Sequence, residues 1–237
     1  MERRGENEEF LPLDASLLYI GRRIIFFASP IPCLGTLFGR LRIYAGKLGI
    51  RKAADWYYRD MTEKFSDMLL VGGKANSLGR VNDVIERVLA DQDRLEELYG
   101  CMFYGDAWVR MRAADAFEKI CRVHPEWIAP YIDRIEKELS TSTQASIQWH
   151  LAQIYRQVEL TDVQKRAAVR WLRHLLSTPE VDWIVAANAM DTLRQFVDEG
   201  TVLPKDFRPL LMIQREHRSN AVIKRANKYL AALDVLH

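Results

Sequence analysis

The residues that could do chemistry do not fall into a catalytic pattern. Gly72-Gly73-Lys74 is not a phosphate-binding loop, because Met68 stands where the first glycine should be and Ala75 replaces the hydroxyl that would hold Mg²⁺. The five histidines lack metal-ligand spacing. Neither a zinc-protease motif nor a nucleophile elbow occurs. We therefore expect no catalytic residue, no metal and no cofactor, and we look instead for a binding surface.

Composition indicates an ordinary globular protein in a reducing compartment. The 237 residues are 49% hydrophobic and 28% charged, with a net charge of +2. Cys33, Cys101 and Cys121 are odd in number and lack the C-x-x-C spacing, which argues against a disulfide framework. The most apolar run, Ile24–Phe38, is too short to cross a bilayer and contains proline. We predict a cytoplasmic protein.

Charge divides the chain into two unlike parts. From Gly72 to the end there are 23 basic and 23 acidic residues, whereas Ala15 to Ala54 holds seven basic residues and no acid. Apolar and basic blocks alternate there, which is typical of contact with a membrane surface or an anionic partner. A disordered leader is one alternative. Another is a leader added by an upstream translation start, since Met61 and Met68 lie before the repeats.

A helix and a glycine break separate these parts. Aromatic and methionine residues recur at helical spacing between residues 53 and 70. Gly72-Gly73 then opens a candidate linker over residues 72–81. We predict an N-terminal segment over 1–71, which is irregular apart from this helix, and a repeat domain over 82–237. We expect the repeat domain to fold without residues 1–71.

Three apolar columns recur in the repeat domain at a step of 37 or 38 residues, which is typical of a helical solenoid. The columns are Val109, Ile147, Val185 and Val222; Ala113, Leu151, Ala189 and Ala226; and Phe117, Tyr155, Leu193 and Leu230. The pattern predicts an all-α protein with about four antiparallel helix pairs, because one pair cannot bury its own apolar stripe.

The second helix of the first pair resembles that of a HEAT repeat, in the segment Asp106-Ala-Trp-Val-Arg-Met-Arg112. The resemblance covers about two-thirds of the chain and implies a right-handed solenoid whose second helices line a concave face. In that family an aspartate and an arginine six residues later form a hydrogen-bonded ladder between repeats. It assigns the ladder to Asp106, Arg112, His150, Asn188 and Arg225, where the turn residues Gln144, Asp182 and Ser219 match in part. Similar bacterial HEAT-repeat proteins have no assigned activity.

A helical wheel identifies the residues opposite the buried columns. These predicted concave-face residues are Met111, Asp115, Trp149, Gln153, Arg156, Asp191 and Arg194. Trp149 beside Met111, with charged neighbours, has the composition of a binding hot spot. The alternative is that Trp149 tucks against a neighbouring repeat or under the N-terminal segment.

Two functions compete. One is a non-enzymatic scaffold that binds a protein or peptide on the concave face. The other is a HEAT-like DNA glycosylase of the alkylation-repair type, for which Trp149 and Asp191 are the candidate residues. The balanced charge after Gly72 counts against nucleic acid, because DNA binding relies on basic side chains that neutralise phosphates.

Overall fold

The computed structural model describes residues 62–71 and 77–235, together with the backbone of 19–20 and 23–24. The chain divides into two units, Met1–Arg59 and Asp60–His237. In the first unit, strands β1 (Tyr19–Ile20) and β2 (Arg23–Ile24) pair antiparallel, with Tyr19 opposite Ile24. The membrane-surface segment predicted over 15–54 lies, apart from these strands, outside the described residues.

The described part of the second unit is helical, which confirms the all-α class for that part of the chain. The helices are α1 Phe65–Leu70, α2 Val81–Ala90, α3 Leu95–Cys101, α4 Ala107–Val123, α5 Pro125–Ile128, α6 Ile132–Leu139, α7 Ala145–Gln157, α8 Asp162–Leu175, α9 Trp183–Asp198, α10 Pro204–Gln214 and α11 Asn220–Asp234. Short 3₁₀ turns, Gln92–Arg94 and Ala129–Tyr131, precede α3 and α6.

Side chains and prolines at the helix starts explain where several of these helices begin. Asp106 accepts hydrogen bonds from the Trp108 and Val109 amides, and Asp182 accepts one from the Ile184 amide. Thr161 forms a reciprocal capping box with Gln164 at the start of α8. Proline occupies the first turn of α5 and of α10, where its missing N–H costs no helical hydrogen bond.

The repeated apolar columns form the core. All twelve column residues are buried, and eight of them have no exposed surface. The predicted second helices are α4, α7, α9 and α11, and each contacts the next in chain order. Among the first helices of the pairs, α6 contacts α8, and α10 packs against both α9 and α11.

Helix α1 belongs to the helical unit by its packing, although the sequence places it with the N-terminal segment. Phe65, Met68 and Leu69 have no exposed surface and lie in the same core as the repeats. The Arg94 guanidinium lies 3.9 Å from the centre of the Phe65 ring. The boundary between the two units, at Arg59, therefore precedes this helix. Residues 53–61 of the predicted helix and 72–76 of the predicted linker lie outside the described residues.

Among the described residues, no helix combines the length and the apolar character that crossing a bilayer requires.

Candidate functional site

The seven predicted concave-face residues lie on α4, α7 and α9, and all of them are half-buried. We call the surface that they form, with Asn188, Arg225 and Tyr229, the second-helix face. Half-burial has a simple cause. Successive second helices pack side by side, so a side chain that points away from the core still contacts the next helix.

Asp191 is the centre of a polar cluster that joins three helices. Its Oδ1 accepts a hydrogen bond from the Tyr229 hydroxyl at 2.6 Å, and its Oδ2 accepts one from Arg225 Nη1 at 3.1 Å. Arg156 Nη1 lies 3.6 Å from the same Oδ2. Burial and this hydrogen bond raise the pKa of Tyr229 to about 12, so the hydroxyl keeps its proton. One carboxylate therefore ties α7, α9 and α11 together.

A second polar chain connects α7 to α9. His150 Nδ1 donates to Gln153 Oε1 at 3.1 Å, and Gln153 Nε2 donates to Asn188 Oδ1 at 3.1 Å. Asn188 Nδ2 in turn donates to the Ile184 carbonyl. The side-chain amides of Gln153 and Asn188 thus each accept one hydrogen bond and donate one within this series.

The predicted ladder residues are hydrogen-bonded, but not to the expected partners. Asp106 and Asp182 cap their own helices instead of accepting from an arginine or an asparagine six residues later. Arg112 donates to the Leu69 and Ser77 carbonyls at 2.6 and 2.8 Å, which lie in the segment before the repeats. The first amides of a helix have no acceptor within the helix and lie close to the aspartate that precedes them. Each aspartate therefore accepts hydrogen bonds from these amides and not from the side chain six residues later.

Sequence reasoning missed several bridging residues. Glu118 is buried and accepts from Gln157 on the next second helix and from Arg122 on its own. Thr192 is buried and donates to the Ala152 carbonyl at 2.7 Å. The sequence carried a signal, because each of these inter-helix pairs is separated by 39 or 40 residues, about one repeat.

The remaining predicted residues are paired or packed. Asp115 forms an ion pair with Lys119 at 2.7 Å, and Arg194 forms one with Asp198 at 2.6 Å. Trp149 packs against the buried core, with its ring 5.2 Å from that of His150. Trp149 is thus half-buried, and both the hot-spot interpretation and its alternative stay predictions.

Several titratable groups of the helical unit are hydrogen-bonded or buried. Both oxygens of Asp191 accept hydrogen bonds, from Arg225 and from Tyr229. Burial raises the pKa of the Cys101 and Cys121 thiols to about 12, which removes them as nucleophiles at neutral pH. No group of His, Cys, Asp and Glu within the described ranges could hold a metal ion. Cavities of about 170 and 300 Å³ lie near α8, and neither is lined by a predicted site residue.

We expect His150 to make the free energy of unfolding depend on pH. Burial lowers the pKa of His150 to about 4 from 6.5, although the nearby carboxylates of Asp115 and Glu118 oppose this and Lys119 adds to it. Between these values the unfolded chain binds the proton more tightly, so stability falls as pH falls. From pH 7 to pH 5 the loss should be roughly 2 kcal/mol.

Urea unfolding at both pH values, compared with His150→Gln, isolates this contribution. Glutamine does not titrate. The carboxylates whose protonation lowers the unfolding free energy in acid are the same in both proteins, so their contribution cancels in the comparison. The difference in unfolding free energy between wild type and variant should therefore shrink or invert as pH falls. A difference that is the same at pH 7 and pH 5 would contradict the buried, neutral state of His150.

No family model, curated protein or solved structure matches this chain.

Proposed function

We propose that the protein is a non-enzymatic scaffold that binds a protein or peptide on the second-helix face of a right-handed, HEAT-like solenoid. The solenoid would consist of about four antiparallel helix pairs. Its support is the side-by-side packing of α4, α7, α9 and α11 in chain order. Polar bridges between residues about one repeat apart, such as Asp191 with Tyr229, give the same order.

The observation that supports a binding role is that the charged side chains of the second-helix face are ion-paired or hydrogen-bonded, while the face also presents a half-buried tryptophan. Asp115, Asp191 and Arg194 each have a partner on the face or beside it, so the face presents little net field. Half-buried Trp149 then provides apolar contact area between polar groups. Protein interfaces combine aromatic anchors with a hydrogen-bonded polar surround in this way.

The DNA glycosylase alternative has less support. Such an enzyme needs an aspartate free to act on the substrate, and Asp191 is held by Arg225, Tyr229 and Arg156. DNA binding also needs unpaired basic side chains, and Arg156 and Arg194 are both committed to carboxylates. Retention on heparin at moderate salt that is lost on Arg156→Glu, a change on the second-helix face, would favour the alternative.

Replacing Trp149 should weaken binding of the partner while the variant still folds cooperatively. We expect Trp149→Ala to reduce partner affinity by about 2 kcal/mol, roughly thirtyfold. The matched control is Trp183→Ala, because Trp183 is 50% exposed at the first residue of α9 and is not part of the face. Its loss should leave partner binding unchanged.

The measurement is affinity capture from native extracts, followed by dissociation constants with the purified partner. Urea unfolding of each variant separates lost binding from lost structure. Trp149→Ala should cost no more than about 2 kcal/mol of stability, because the side chain is only partly buried. Equal capture by wild type and both variants would remove the second-helix face as the binding site.

A further inference from the structure

Three arginines form a row on the outer side of α8. Arg166, Arg170 and Arg173 are all exposed and recur at i, i+4 and i+7, which places them on one side of the helix. The opposite side carries buried Ala168 and Leu172. The row spans about 10 Å along the helix axis.

A groove runs beside this row. Its volume is about 300 Å³, and its lining comprises the three arginines, Val169 and Thr201. Val169 is partly buried against the core and supplies an apolar contact. Thr201 reaches the groove from the loop between α9 and α10 and offers a hydroxyl. The lining therefore combines three cations, one hydroxyl and one apolar side chain.

The three arginines of the row make few hydrogen bonds or ion pairs with other described residues. Within the part of the chain that the structure describes, Arg166 and Arg173 form no hydrogen bond and no ion pair. Arg170 has a long contact, 3.7 Å, to Glu136, and its side chain is 71% exposed. This differs from the second-helix face, where Arg156 and Arg225 are both paired with Asp191. Unpaired guanidinium groups remain available for a carboxylate from outside.

We propose that this α8 groove docks an acidic segment of a partner protein, with Asp or Glu side chains on Arg166, Arg170 and Arg173. Arginine clusters recognise acidic motifs because each planar guanidinium can bind a carboxylate through two hydrogen bonds. The neighbouring apolar side chain of Val169 favours a peptide that carries apolar residues between its acids.

The surroundings of the row favour a short protein segment over a nucleic acid. Acidic side chains lie near it: Glu136 of α6 is 3.7 Å from Arg170, and Asp133 and Glu199 contact the neighbouring α8 residues Gln164 and Lys165. A nucleic acid, which is charged at every residue, would place phosphates against these carboxylates, whereas a peptide can place uncharged residues there. Nucleic-acid binding also relies on contacts to several successive phosphates, whereas this row spans only about 10 Å.

The test uses the full chain and a fluorescein-labelled ten-residue peptide with four glutamates separated by leucine and alanine. Fluorescence anisotropy at low ionic strength should show saturable binding, and added salt should weaken it. A peptide with glutamine in place of glutamate should not bind. The double variant R166E/R173E should raise the dissociation constant of the acidic peptide about tenfold or more.

The matched control is R215E/R218E, which makes the same change in net charge at two exposed arginines in the turn before α11. It should leave peptide binding within about twofold, and so should Trp149→Ala, because the inference does not rest on the proposed function. Equal losses in both double variants would reduce the effect to net charge and overturn the proposal. A ten-nucleotide single strand that binds the row more tightly than the peptide would overturn the choice of a protein partner. If the acidic peptide shows no saturable binding, both the docking site and the choice of a protein partner are overturned.

Discussion

Removing residues 1–71 should unfold the helical unit, whereas removing residues 1–59 should leave it folded. The difference lies in α1, which places Phe65, Met68 and Leu69 in the core without exposed surface. Burying one such side chain contributes about 1.5–3 kcal/mol, so three contribute on the order of 6 kcal/mol. That is comparable with the whole stability of a typical domain.

Deletion of α1 also removes polar partners. The Phe65 amide donates to Glu97 Oε1 at 2.7 Å, and the Leu69 carbonyl accepts from buried Arg112. Loss of the Leu69 carbonyl would leave part of that guanidinium unsatisfied in the core, which adds to the apolar loss.

Urea unfolding followed by circular dichroism compares the two truncations with the full chain. The chain that begins at residue 60 should unfold cooperatively at about the wild-type midpoint. The chain that begins at residue 72 should show no cooperative transition, or should aggregate. A full-length Phe65→Ala variant, expected to lose about 3–5 kcal/mol, tests the same packing without truncation. If the chain from residue 72 unfolds at the wild-type midpoint, α1 is dispensable, as the glycine break suggested.

Arg112→Met should destabilise the helical unit by about 3 kcal/mol. Arg112 is 3% exposed, and its guanidinium donates to the Leu69 and Ser77 carbonyls on either side of residues 72–76. Methionine keeps much of the apolar stem but leaves both carbonyls without this donor. A buried, unsatisfied carbonyl such as that of Leu69 costs about 1–3 kcal/mol, and the part-buried Ser77 carbonyl adds a smaller loss.

Two further variants separate this role from a general loss of charge. Arg170→Met removes an exposed guanidinium with a weak ion pair and should change the unfolding free energy by less than about 0.5 kcal/mol. Arg112→Lys should recover part of the loss, since an ammonium can donate to one carbonyl but lacks the planar fork that reaches two. An unchanged melting midpoint for Arg112→Met would show that solvent or neighbouring donors satisfy both carbonyls.

The sequence by itself determined the helices and the side of each second helix that is buried. Column residues such as Val109, Ile147 and Val185 are buried as their spacing predicts, because the period of 3.6 residues per turn is a local property of the chain. The start of α8 is also a local property, since Thr161 caps with its own neighbour Gln164. The residues of the second-helix face follow from the same geometry.

Only the tertiary structure decided which long polar side chains meet. Arg112 extends from α4 to backbone carbonyls 35 and 43 residues earlier, and Asp191 joins side chains from the helices on both sides of α9. No local rule specifies such partners, because a guanidinium binds whichever acceptor the folded chain brings within reach. The inclusion of α1 was hidden for a related reason. The apolar spacing indicated a helix there, but the burial of α1 depends on a surface that α2, α3 and α4 form only when folded.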